Sequence, residues 1–158
     1  MDHKFRKSTT GPTASTMMTV DAMLVTVADN VSVHLTIPGE PLSQPRHRVR
    51  RLFSSGSGRV LFCDPAATQK REVKASIRSA LVGVGVVDFP VVQQRQVKVT
   101  ADFYVANGRK DIDNLLKFIM DAIKSVVYSD DRWVFQVSAR KHSVARDSGH
   151  TEIVFDTM

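Results

Sequence analysis

From Val31 the chain alternates, with Val31, Val33, Leu35 and Ile37 apolar and Ser32, His34 and Thr36 polar. That is the period of a strand with one buried face, and Pro38-Gly39 ends it. The same period returns over Val97–Val105, with Val97, Val99, Ala101, Phe103 and Val105 on one side, and stops at Asn107-Gly108. A helical period follows. Ile112, Leu115, Leu116, Ile119, Met120, Ile123, Val126 and Val127 form one stripe, and Asp113, Lys117, Asp121 and Lys124 lie on the opposite face. Val60 to Cys63 predict a short strand. Asp64 then reads as a helix cap with Pro65 at the first helical position, where proline forfeits no hydrogen bond, and this helix is expected to run to about Leu81. Trp133 to about Lys141 and Thr151 to Phe155 predict two last strands, expected to form an antiparallel pair. The order β-β-α-β-α-β-β predicts an α/β domain in which two main helices pack on a mixed sheet of about five strands. Residues 1–29, rich in Ser and Thr and poor in large apolar side chains, predict a disordered tail, which leaves 30–158 as the folded domain.

The chain of 158 residues is long enough for one domain with a conventional core, and 42% hydrophobic and 24% charged residues belong to a soluble globular protein. The longest uncharged apolar stretch, Ala80 to Val87, is too short to span a membrane, and Asp21 interrupts the only apolar segment near the N-terminus that could serve as a signal. Cys63 is the single cysteine, which excludes an intrachain disulfide and a cysteine-based zinc site and makes a reducing cytoplasm the expected compartment. The net charge of +6 is concentrated in residues 45–78, where nine Lys or Arg, including Arg46, Arg48, Arg50 and Arg51, face only Asp64 and Glu72. With Pro41 and Pro45 before it and Ser54-Ser55-Gly56-Ser57-Gly58 after it, the arginine run predicts a mobile surface loop that binds a polyanion. Nucleic acid is the commonest such partner.

The candidate chemistry lies at the start of the 112–127 helix. Asp111 and Asp113 are two residues apart and cannot share a helix face. They converge if Asp111 is still extended and Asp113 opens the helix, with Ile112 turned into the core between them. Lys117 then stands one turn above Asp113, and Asp130 or Asp131, in the loop leading to the next strand, could return to the same pocket. Converging carboxylates are hard ligands suited to Mg²⁺ or Mn²⁺, and beside a basic groove they imply phosphodiester hydrolysis with Lys117 near the scissile phosphate. The plainer alternative is that these acids only cap helices and turns. Gly83-Val84-Gly85 lacks a dinucleotide fingerprint, and His34, His47, His142 and His150 lack metal-ligand spacing.

Arg109-Lys110-Asp111-Ile112-Asp113-Asn114-Leu115 with Lys117, then Asp130-Asp131 after a helix of matching length, resembles the RusA family of Holliday junction resolvases. Upstream, Pro38-Gly39-Glu40-Pro41 and Pro45-Arg46-His47-Arg48 resemble that family's early proline-rich and basic segment, so the likeness covers roughly residues 31–156. The resemblance implies a Mg²⁺-dependent endonuclease that nicks four-way DNA junctions symmetrically as a homodimer. It makes Asp111, Asp113 and Asp131 the metal-binding catalytic acids and Lys117 the catalytic lysine. Arg46, Arg48, Arg50, Arg51, Arg109 and Lys110 are the expected DNA contacts. A phage or prophage origin fits. The dimer contact is expected at Val31 to Ile37 or at Val84 to Val92. A flap or fork nuclease and a non-catalytic DNA-binding module stay open as alternatives.

Overall fold

A computed structural model describes residues 18–27, 29–45, 48–51 and 60–158, so Arg46 and His47, like most of the expected N-terminal tail, lie outside the described residues. The elements in chain order are β1 (Asp21–Val27), β2 (Asn30–Pro38), β3 (Arg48–Arg51), β4 (Val60–Cys63), α1 (Ala67–Gly83), β5 (Val97–Val105), α2 (Ile112–Ile123), a 3₁₀ turn (Asp131–Trp133), β6 (Val134–Ser143) and β7 (His150–Thr157). Five strands form one mixed sheet in the order β1-β2-β7-β5-β6, and β3 and β4 form a separate two-stranded ribbon. No described helix is long and apolar enough to cross a membrane.

The alternation of β5 is realised residue by residue: Val97, Val99, Ala101, Phe103 and Val105 are buried and the residues between them are half-exposed. Val33, Leu35 and Ile37 of β2 and Ile153 and Phe155 of β7 continue this buried face. Val73, Ile77 and Leu81 of α1 join the same core, as do Leu115, Phe118, Ile119, Ala122 and Ile123 of α2. Each Val, Leu, Ile or Phe among them contributes about 1.5–3 kcal/mol on leaving water, which is what holds the two helices to the sheet.

Several expectations are corrected. The segment Asp21–Val27 is a strand, paired antiparallel with β2, although it falls within the stretch read as a tail. Ala22 and Leu24 pack against the core beside buried Val20, and an edge strand needs no more than that. The last two strands are not partners. β7 lies between β2 and β5, antiparallel to both, and β6 pairs in parallel with β5 at the sheet edge. A parallel pair requires a crossover, and α2 supplies it. Arg48–Arg51 is not a loop but pairs with Val60–Cys63, which leaves β4 outside the main sheet. Helix α1 begins at Ala67 with Ala66 at its cap, two residues later than expected, because the Asp64 carboxylate accepts a hydrogen bond from Ala66 N and closes a turn first. Helix α2 ends at Ile123, and Val126 and Val127 are buried in the turn beyond it. Ile112 is an exposed residue and not a core one. Neither expected dimer segment offers a continuous apolar surface, since β2 is an interior strand and Val86 and Val92 are buried, although Val84 and Val87 are exposed.

Candidate active site on helix α2

The approach to α2 is a short loop fixed from three sides. The Glu40 carboxylate accepts hydrogen bonds from Ala106 N at 2.9 Å and Asn107 N at 3.4 Å. Burial alone would raise the Glu40 carboxyl, but these bonds and the Lys110 ammonium together hold it below its ordinary value. Lys110 Nζ lies 3.1 Å from Glu40 Oε1 and donates to Pro41 O at 2.6 Å. Lys141 Nζ donates to Gly108 O at 2.9 Å and Lys110 O at 2.8 Å. Gly149 has no room for a side chain, because a Cβ there would sit 2.7 Å from Glu40 Oε2 and 2.9 Å from Glu40 Cα. Lys110, expected at the DNA, is therefore engaged inside the fold, whereas Arg109 is exposed.

This clamped loop delivers Asp111 in an extended conformation, φ −76° and ψ 136°, as the residue that caps α2. Its main-chain oxygen accepts the first helical bond from Leu115 N, but its carboxylate makes no capping hydrogen bond. Asp113, in the first turn, and Lys117, one turn on, are exposed on the polar face. None of these three side chains has an ion-pair partner among the described residues, so the capping role that would explain Asp111 away is not realised. One turn further along, Asp121 is bound by Lys70 of α1 at 2.7 Å.

The second pair of acids has a different environment. Asp130 Oδ1 accepts a hydrogen bond from Arg132 N, which opens the 3₁₀ turn and outweighs the opposing effect of burial, so that with the nearby Lys124 charge it holds the carboxyl below the usual range. Asp131 Oδ2 lies 2.9 Å from Lys124 Nζ, and its Oδ1 accepts a 2.9 Å hydrogen bond from the Tyr128 hydroxyl. The hydrogen bond to Asp131 is the main reason that the Lys124 ammonium is raised above its ordinary value. Burial, and then the adjacent Asp131 carboxylate, push the Tyr128 phenol far above its usual range. Asp130 is the structural member of the pair, and Asp131 is the one oriented by side chains.

Within one chain the structure does not bring Asp131 to Asp111 and Asp113. The Tyr128 hydroxyl that holds Asp131 is also 3.2 Å from Met120 O, near the far end of α2. Met120 is nine residues beyond Asp111, roughly 13 Å along the axis at about 1.5 Å per residue. Consistent with this, no three His, Cys, Asp or Glu residues among those described are gathered closely enough to hold a metal ion. The topology explains the separation, because a crossover between parallel strands has its entry loop at one end of the sheet and its exit loop at the other.

The basic segment is anchored beside the near end. Gln44 N donates to Asn114 O at 2.9 Å, so Arg48, four residues later, starts the ribbon within about 14 Å of the first turn of α2. Arg48, Arg50 and Arg51 lie on β3. Sequence reasoning missed Glu40, Gln44, Lys124, Tyr128 and Lys141, whose roles rest on contacts with residues distant in sequence or on the turn that follows α2, where the apolar stripe had suggested continuing helix. Only Glu40 left a trace, as the single acidic residue between Val31 and Cys63.

A comparison with curated proteins finds no match. The family model described as Endodeoxyribonuclease RusA matches residues 38–154, from the end of β2 into β7, and so takes in the clamped loop, both ends of α2 and the basic ribbon. The chain belongs to the RusA endodeoxyribonuclease family and is a hydrolase of DNA phosphodiester bonds.

Proposed function

We propose that the protein resolves four-way DNA junctions by paired, symmetric, Mg²⁺-dependent nicks, and that it does so as a two-fold homodimer. In that dimer each active site combines Asp111, Asp113 and Lys117 of one chain with Asp131 of the other. The observation that carries the reading is the pair of carboxylates at the start of α2, exposed and free of capping duty, while the third acid of the family motif is oriented at the helix's opposite end. Two helices related by a two-fold axis and running antiparallel would place opposite ends together, which one chain cannot do. The exposed Phe135 and Val137 on edge strand β6, directly after the turn that carries Asp131, offer apolar surface for such a contact.

The donor set fits a hard divalent ion, since all three groups are carboxylates. Asp111, Asp113 and Asp131 would hold it, and a bound ion there supplies an activated water and neutralises phosphate charge. Lys117 places a positive charge where negative charge builds on the phosphate under attack. Arg109 and the arginines of the β3–β4 ribbon hold the phosphates of the junction arms, contacts that set position and affinity and not sequence preference.

The test mixes two inactive proteins. Asp111→Asn with Asp113→Asn in one chain, and Asp131→Asn in the other, each abolish cleavage alone. A mixed dimer then contains one site with all its acids, so a cruciform plasmid becomes nicked but not linearised, and chelation of Mg²⁺ stops the reaction. No rescue on mixing would refute the shared site, and preferential cutting of flaps or forks would replace the substrate.

A further inference from the structure

The β3–β4 ribbon meets the body of the protein at two feet, and one hydrogen bond joins them. Gln44 precedes β3 and Asp64 follows β4, and Gln44 Nε2 donates to Asp64 Oδ1 at 3.0 Å. The other carboxylate oxygen of Asp64 lies 2.8 Å from Lys70 Nζ, and the same ammonium reaches Asp121 Oδ2 at 2.7 Å. Gln44 closes the circuit through its main-chain bond to Asn114 O. The ring therefore touches α2 at Asn114 and again at Asp121, two turns apart, and Lys117 lies on the helix between them. Its inner members are withdrawn from solvent, with Gln44 buried and the Lys70 side chain 12% exposed, while Asp121 stands at the exposed rim. The Lys70 hydrogen bond outweighs burial and holds the Asp64 carboxyl far below its usual value, so the ring stays charged and closed throughout the neutral range.

We infer that this ring couples the position of the basic ribbon to the cutting face of α2, which makes Gln44, Asp64 and Lys70 positioning residues for cleavage. The inference rests on the proposed nuclease reading of α2. DNA gripped by the ribbon pulls on Gln44 and Asp64. Because these two are bonded to each other and to α2, the load shifts the ribbon and the helix as one body. Without the ring the arginines still hold phosphate, but the scissile bond is no longer registered against Asp113 and Lys117. Positioning errors of this kind slow the chemical step without weakening the grip.

Gln44→Leu removes the amide link at similar volume. The expected result is junction affinity, measured without metal, within about twofold of wild type, an unchanged slope of affinity against salt, and a single-turnover cleavage rate at saturating protein reduced on the order of tenfold. Gln44→Asn, whose amide is one methylene too short for Asp64, gives the same split while keeping a polar side chain, and a thermal melt confirms that each variant is folded. A cleavage rate equal to wild type, or affinity falling in step with the rate, overturns the coupling. Wild-type protein and Asp113→Asn are assayed alongside. Wild-type protein that leaves the junction uncut overturns the nuclease reading itself, which separates the two failures.

Discussion

Glu40→Gln tests whether the loop before Asp111 is held by charge. The carboxylate receives two main-chain donors and one ammonium, and of the two N–H bonds only Ala106 at 2.9 Å has full strength, since 3.4 Å to Asn107 is near the limit of a hydrogen bond. A bond to a charged acceptor is worth about 1.5–3 kcal/mol, and roughly half of that survives when the acceptor becomes an amide oxygen. The Lys110 pair, with side chains 22% and 35% exposed, adds about 0.5–1 kcal/mol after solvent screening. The substitution should therefore cost about 1–2.5 kcal/mol, and at about 2–4 °C per kcal/mol in a chain of this size the Tm should fall by about 2–10 °C. The sign of the pH dependence follows from the lowered carboxyl. A group whose folded value lies below its unfolded value, near 4.3 for glutamate, gives its full stabilisation above that value and loses it as pH falls through the folded value. Calorimetric melts of both proteins should differ by the full amount near pH ~7 and converge as the pH drops below ~4. A gap of the same size at every pH, or none near neutrality, would show that the loop does not depend on the charge of Glu40.

Gly149→Ala should destabilise by about 1–3 kcal/mol in a thermal melt, because the new methyl meets main-chain atoms of Glu40 that cannot swing aside. Tyr128→Phe should cost about 1–2 kcal/mol for the hydroxyl that donates to Asp131 at 2.9 Å beside Met120 O. It should also slow junction cleavage on the order of tenfold by freeing the Asp131 carboxylate, and an unchanged single-turnover rate would count against a role for that orientation.

The parts of this fold that could be read from the sequence are those whose residues bury a periodic face. Val97–Val105 and the stripe from Leu115 to Ile123 declare themselves because every second or every third to fourth residue enters one core. β1 escaped notice since only Ala22 and Leu24 pack inward while Met23, Val25 and Val27 are exposed, a pattern too weak to separate from a tail. β3 escaped because Arg-Val-Arg-Arg becomes a strand by pairing with β4 and has no apolar face of its own. Partner choice was also hidden: neighbours in sequence usually pair, but here β7 passes over β6 to lie between β2 and β5. At the site, the acids and Lys117 were visible as a spaced motif. The residues that hold them were not, because Glu40 and Ala106 lie 66 positions apart and meet only in the folded chain.

The insertion of β7 between β2 and β5 has a consequence for synthesis. Val31 N donates to Thr157 Oγ1 across 126 positions, so the first long strand of the sheet finds its neighbour among the last residues described. A growing polypeptide can form α1, α2 and the parallel pair β5–β6 while β7 is still inside the ribosome, but β2 and β5 then have nothing to join them. Assembly waits for Thr157 to emerge, and contacts of such long range make the remaining step slow. A nuclease built this way has no joined sheet until β7 is in place, and any early stop that removes β7 leaves β2 and β5 with exposed edges instead of a shortened active enzyme.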